Sequence, residues 1–185
     1  EGIKQLLRYS KQAPQIFKFL AFVCATDGMS FKYGWTDEKE YFYWRTDYYD
    51  PLEGAIKEMF RKDQLLDIVN NFVVFEKIRE EVKKKIGRYN QISAVNKITE
   101  RVLKEELKNG LVWHTQGSGK TLTMLFAAWK LKKIKELKNP TILVVVDRIE
   151  LESQLSGVFK NVELPYTAKA KSIKNLKEKL ERDSR

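Results

Sequence analysis

The chain has 185 residues, 43% of them hydrophobic and 12% aromatic, which excludes a disordered chain and is enough for one good-sized core. Its 35 Lys and Arg against 25 Asp and Glu give a formal charge of +10, favouring a polyanionic partner, most simply nucleic acid; a lysine-rich solvated surface is the bland alternative. No apolar run has the length of a membrane span and no secretory pattern opens the chain, so a cytoplasmic protein without a membrane partner is expected, with the single Cys24 as a core thiol.

Residues 1–19 carry apolar side chains at helical spacing, and Gln5 and Tyr9, four apart, share one helix face. Phe19 to Ala25 is a continuous apolar run suited to a buried strand. Thr26-Asp27-Gly28 supplies a turn, after which Phe31, Tyr33 and Trp35 alternate as in a half-buried strand. A polar turn over 36–40 leads to Tyr41-Phe42-Tyr43-Trp44, completing a three-stranded meander whose aromatics are read as sheet core rather than base-stacking platforms. Beyond Pro51 the pattern is helical, Asn70-Asn71 breaks it, and Phe72 to Phe75 is strand-like. The basic stretch 76–88 is expected to be a linker with a solvated helix face. A long helix over 88–108 follows, with Ile92, Val95, Ile98, Val102, Leu103 and Leu107 along one stripe, ended by Asn109-Gly110.

Gly110-Leu111-Val112-Trp113 reads as a strand, His114 to Gly119 as a glycine-rich turn, and Lys120 to about Leu137 as a helix. That order makes a phosphate cradle, because glycines let backbone N–H groups curl around an anion and the helix N-terminus adds its positive dipole end. Lys120 would reach the outer phosphates of a nucleotide and the Thr121 hydroxyl would hold Mg²⁺. His114 departs from the strict P-loop pattern, which has glycine there, while the Gly117-Ser118-Gly119-Lys120-Thr121 core is intact. Thr141 to Asp147 is an uninterrupted β-branched strand of the sort found in buried parallel sheets, and a helix is expected from Arg148 to Val158. The tail from Lys171 onward is basic and only weakly periodic.

The strings Tyr89-Asn90-Gln91-Ile92-Ser93-Ala94-Val95, Gly110 to Met124 with its Trp-His-Thr-Gln-Gly-Ser-Gly-Lys core, and Val145-Val146-Asp147-Arg148 to Leu155 resemble the motor subunit of type I restriction enzymes, within helicase superfamily two. Gln5-Leu6-Leu7-Arg8-Tyr9 is similar to the Gln-x-x-x-Tyr element of that family's nuclease domain. The resemblance accounts for His114 as a family variant. It implies an α/β chain in which the end of a restriction-nuclease-like domain (residues 1–75) and a linker (76–88) precede the start of a P-loop RecA-like domain with a parallel sheet (89–185). It implies ATP and Mg²⁺ as cofactors, held by Thr115, Gln116, Gly117, Ser118, Gly119, Lys120 and Thr121, with Gln91 reading adenine through its amide. Lys120 and Thr121 would be the catalytic pair. Gln5, Tyr9, Arg148 and Gln154 would lie toward DNA.

The whole subunit is then expected to be an ATP-driven double-stranded DNA translocase and endonuclease working with specificity and methyltransferase subunits. No Asp-Glu-x-[His/Asp] motor motif follows the P-loop, and the family's nuclease Asp and Glu-x-Lys would lie before Glu1, so the chain is expected to be a piece of a longer protein and inactive alone. Two other readings compete. Asp147 after its apolar strand would suit a compact P-loop kinase, and the basic charge would suit a DNA-binding or scaffold segment without catalysis.

Overall fold

The structure, a computed structural model, describes residues 1–36, 41–47, 49–104, 109–164 and 167–181. Helix α1 (Gly2–Gln12) stops before Pro14, whose fixed φ opens α2 (Pro14–Phe19) at a first-turn position where no N–H is needed. Strands β1 (Val23–Thr26), β2 (Phe31–Gly34) and β3 (Phe42–Tyr43) form the expected antiparallel meander, with Cys24 opposite Tyr33 and Tyr33 opposite Phe42. The β1–β2 turn is fixed by Asp27, whose carboxylate accepts from the Ser30 and Met29 backbone N–H groups at 2.7 and 3.0 Å. Those bonds, the Ser30 one foremost, hold the Asp27 carboxyl below its ordinary range. Phe31, Tyr33 and Trp35 are all buried, as their alternation requires. Burial pushes the Cys24 thiol up to about 12.

The first strand is shorter than its apolar run. Phe19 ends α2 and is 89% exposed, because the helix begun at Pro14 claims it before the sheet starts. The polar turn over 37–40 lies outside the described residues. Helix α3 (Pro51–Met59) is capped by Asp50, which accepts from the backbone N–H groups of Leu52 and Glu53. Helix α4 (Lys62–Asn71) runs through the asparagines and is closed by Phe72.

The stretch 76–88 is no helix face. β4 (Val73–Ile78) and β5 (Glu81–Ile86) form a full antiparallel hairpin around a turn in which Arg79 has φ +57°. Its lysines are partly structural: Lys84 is 6% exposed, donates to the Leu20 carbonyl, and sets its ammonium 3.8 Å from the Trp35 ring centroid. A lysine alternating inward along a strand buries its stem and finds an aromatic face, which composition alone does not reveal.

Helix α5 (Tyr89–Lys104) matches the expected helix up to its described end, residues 105–108 lying outside the described set. Ile92 and Val95 of its stripe are buried, while Val102 and Leu103 are exposed. Then come α6 (Lys120–Lys133), a 3₁₀ turn over Lys135–Leu137, α7 (Ile149–Asn161) and α8 (Ile173–Glu181). One contiguous core joins the parts: Tyr33, Trp44, Met59, Ile68, Phe72, Val95, Leu125 and Phe126 belong to a single buried cluster. Phe72 and Phe126 meet edge to face at 5.5 Å, and the buried Tyr33 hydroxyl donates to the Gly87 carbonyl at 3.0 Å.

The expected parallel sheet is absent among the described residues, where both sheets are antiparallel. Residues 110–113 and 141–147 belong to neither. The second run still lays one face down, Ile142 and Val146 packing on the core while Leu143 and Val145 point out, 57% and 80% exposed. The physical difference lies in connection: a hairpin pairs with its neighbour through a few residues, whereas parallel strands need a crossover and are stable when both faces are covered. The chain is therefore mixed α/β, with helices around two small sheets. No helix among the described residues is long and apolar enough to cross a membrane.

Candidate nucleotide-binding site

The turn between residues 114 and 120 has the conformation its glycines predict. Gly117 and Gly119 both sit at φ +79°, in the left-handed region that side chains resist, and Gly119 caps α6. His114 shows no such φ, so glycine is not required there; its contribution is a carbonyl that accepts from Lys120 Nζ at 2.9 Å. Lys120 also donates to the Thr115 carbonyl at 2.7 Å, and Ser118 bonds that same carbonyl through its N–H at 3.3 Å and its hydroxyl at 2.8 Å. The lysine thus curls over its own loop. A Cβ built on Gly117 would meet nothing within 4 Å, so the turn is open at that point, and the Lys120 ammonium lies against the Thr115 carbonyl of the same loop. The residues present fit a nucleotide's phosphates.

Gln91 supports the loop from below. It is 1% exposed; its amide nitrogen donates to the carbonyls of Ser118 and Gly119 at 3.2 and 3.0 Å, and its oxygen accepts from the Arg88 N–H at 2.9 Å. Both amide hydrogens are directed to the loop, so the residue expected at the adenine edge is in this conformation a brace beneath the phosphate turn. The fit is close, since a Cβ on Gly119 would lie 2.5 Å from Gln91 Nε2.

The helix behind the loop is held along its length. Phe126 and Leu125 are fully buried, and Lys130 on α6 donates to Asp67 of α4 at 2.6 Å and Asn96 of α5 at 2.8 Å. Beside the loop opens a cleft of about 480 Å³. It is lined by Thr115, Gln116, Gly117 and Ser118, by Arg88, Tyr89 and Asn90 of the α5 approach, and by Tyr43 and Arg45 of the meander. The volume falls in the range of small-ligand sites. Burial raises the Tyr89 hydroxyl, with Glu58 and Asp47 adding and Arg45 opposing, so the phenol stays protonated at neutral pH.

The other expected site residues lie apart from this cleft. Gln5 and Tyr9 face each other on α1, the amide donating to the hydroxyl, and α1 packs on α2 and β1. Arg148 opens α7 with its side chain 72% exposed, and Gln154 is exposed on the same helix. Asp147 is 80% exposed, 3.9 Å from Arg148, and lines neither of the two cavities beside the loop. Tyr43 and Arg45 were not expected here. The only signal in the sequence was strand alternation, which sets them opposite the core positions Phe42 and Trp44.

The glycine turn and the anchored helix behind it lie within residues 90–185, which the model of the SWI2/SNF2 ATPase family matches, and the chain belongs to that family. Beyond that family match, type I restriction enzyme endonuclease subunits align with most of the chain. It is 31% identical to a candidate endonuclease subunit, MjaIXP, of Methanocaldococcus jannaschii over 91% of this chain and 19% of that protein. It is 41% identical to the HindI endonuclease subunit of Haemophilus influenzae over 60% of this chain and 11% of that protein. The chain spans a fifth or less of the length of these relatives. The similarity to MjaIXP extends well beyond the ATPase match into the first part of the chain. No solved structure matches it.

Proposed function

We propose that the chain is the ATP-binding part of a type I restriction enzyme motor and endonuclease subunit, an ATP-dependent translocase on double-stranded DNA. The observation that carries this reading is the pair of left-handed glycines at 117 and 119 with the Lys120 ammonium against the loop, within residues matched by an ATPase family. Nucleotide would be held by Thr115 to Thr121. Lys120 would exchange its loop carbonyls for phosphate oxygens, and the Thr121 hydroxyl would hold Mg²⁺, which would supply charge neutralisation at the phosphates. Gln91 keeps the turn in shape, and adenine reading by the same residue requires it to release the Ser118 and Gly119 carbonyls. Arg148 and Gln154 on α7, and Gln5 and Tyr9 on α1, are assigned to the DNA side, where exposed donors suit a phosphate backbone. Residues 1–75 would then end a nuclease-like unit, residues 76–88 join it to the motor and 89–185 begin the motor, with specificity and methyltransferase subunits as partners.

The test is Lys120→Ala in the whole protein that carries this chain. ATP-dependent displacement of a triplex-forming strand from double-stranded DNA should be lost, and ATP hydrolysis with it. Hydrolysis at the wild-type rate in that variant would overturn the reading.

A further inference from the structure

We propose that Arg45, on the segment leaving β3, is a nucleotide-binding residue that brings a guanidinium from the N-terminal meander to the phosphates held on the loop. The proposal rests on the reading of residues 115–121 as a nucleotide cradle.

Three observations lead to it. The first is placement: Arg45 lines the same cleft as Thr115 to Ser118, and also lines the adjoining cavity between α5 and residues 109–114. The second is fixation of its backbone. Trp44 is buried, stacks edge to face on Tyr89 at 5.1 Å, and donates from its indole N–H to Glu58 at 3.2 Å; the Thr46 hydroxyl donates to the other Glu58 oxygen at 2.8 Å. With its two neighbours tied to one carboxylate on α3, residue 45 is held in place while its own side chain stays exposed. The third is chemistry. Among the described residues no hydrogen bond or ion pair engages the Arg45 guanidinium, whereas its companion in the cleft, Arg88, lies over the Phe42 ring at 4.7 Å. A guanidinium is a rigid fork of donors matched to phosphate oxygens, and in the cleft it shares with the glycine turn it would add positive charge to a site read as an anion cradle.

The arrangement gives the N-terminal meander a direct contact with whatever occupies the loop. Trp44 and Thr46 pass that contact to α3 through Glu58.

Isothermal titration of ATPγS and of ADP, each with Mg²⁺, into the whole protein tests this. Arg45→Ala should weaken both roughly ten-fold or more, as expected for loss of a charge-assisted contact, with the melting temperature of the protein unchanged because the side chain is exposed. Arg45→Lys should recover part of the affinity, since the charge returns without the fork. Wild-type affinity in Arg45→Ala, beside weakened binding in Lys120→Ala, would overturn the role of Arg45 and leave the loop reading intact. Arg45→Lys binding no better than Arg45→Ala would overturn the ionic contact. Wild-type affinity in Lys120→Ala would remove the loop reading, and this proposal with it.

Discussion

The meander and hairpin of the first 86 residues and the loop region from Tyr89 onward solve the same problem differently. In the first, every strand finds its partner within a short stretch of chain, and the apolar faces close over one another: Tyr33, Phe72, Met59 and Ile68 are all fully buried. In the second, the helices are buried along one side, yet the extended runs between them carry Leu111 at 84%, Trp113 at 86% and Val145 at 80% exposure. The loop nevertheless takes its shape in this less enclosed setting. Its geometry comes from Gly117, Gly119 and the Gln91 brace, contacts that do not depend on a neighbouring strand. A phosphate turn needs left-handed glycines and an anchored helix behind it; sheet pairing is a separate requirement.

If the first region's core also supports the second, the shared aromatic pair should matter most. Phe72→Ala removes the ring that Phe126 packs against at 5.5 Å, in a position with no exposed surface. The expected cost is about 3–5 kcal/mol, measured by urea unfolding of the chain, because a cavity is left where both regions meet. A loss below about 0.5 kcal/mol, the range of ordinary surface substitutions, would mean the two regions are energetically separate.

The glycines separate conformation from contact. Gly117→Ala forces an L side chain into the left-handed region with nothing nearby to strike, for about 1–2 kcal/mol. Gly119→Ala carries that strain and also drives a methyl to within 2.5 Å of Gln91 Nε2. Gln91 is buried and bonded at both ends, so yielding breaks its hold on the loop, and the total should reach roughly 2–4 kcal/mol. Thermal unfolding of the two variants side by side decides the matter; equal destabilisation would show that Gln91 is not a brace.

Much of this was legible in the chain itself, and the failures share a cause. Asp27-Gly28 ahead of alternating aromatics announces a hairpin, the helical pattern beyond Pro51 announces a helix, and the Gly-Ser-Gly-Lys-Thr turn announces its own φ angles, because each signal is local. Lys83 to Lys85 misled because charge reports solvent only when the stem has nowhere to go, and Lys84 has Trp35. The runs 110–113 and 141–147 misled because β-branched composition describes a fit to a pleated surface and does not supply the neighbour that makes a ladder. Gln91 lies beside the glycine turn, and which way its amide faces depends on carbonyls far along the chain. Strand alternation puts Arg45 away from the core, but nothing local says which distant stretch shares its cleft.

The smallest expected effect probes the exposed side of the comparison. Leu111→Ser and Trp113→Ser together remove two large apolar side chains from a run that belongs to no sheet among the described residues. In a paired, buried strand such changes cost several kcal/mol, as core truncations do. Here, with both side chains more than four-fifths exposed, the chain should lose no more than about 0.5 kcal/mol on urea unfolding, the range of ordinary surface substitutions. The Lys120 and Ser118 contacts to His114 and Thr115 are made through carbonyls, so the loop should keep its form when the neighbouring side chains change. A loss of 2 kcal/mol or more would place these side chains in a packed interior on the scale of core truncations. The contrast between a self-sufficient meander and a loop held from behind by α5 and α6 alone would then fail.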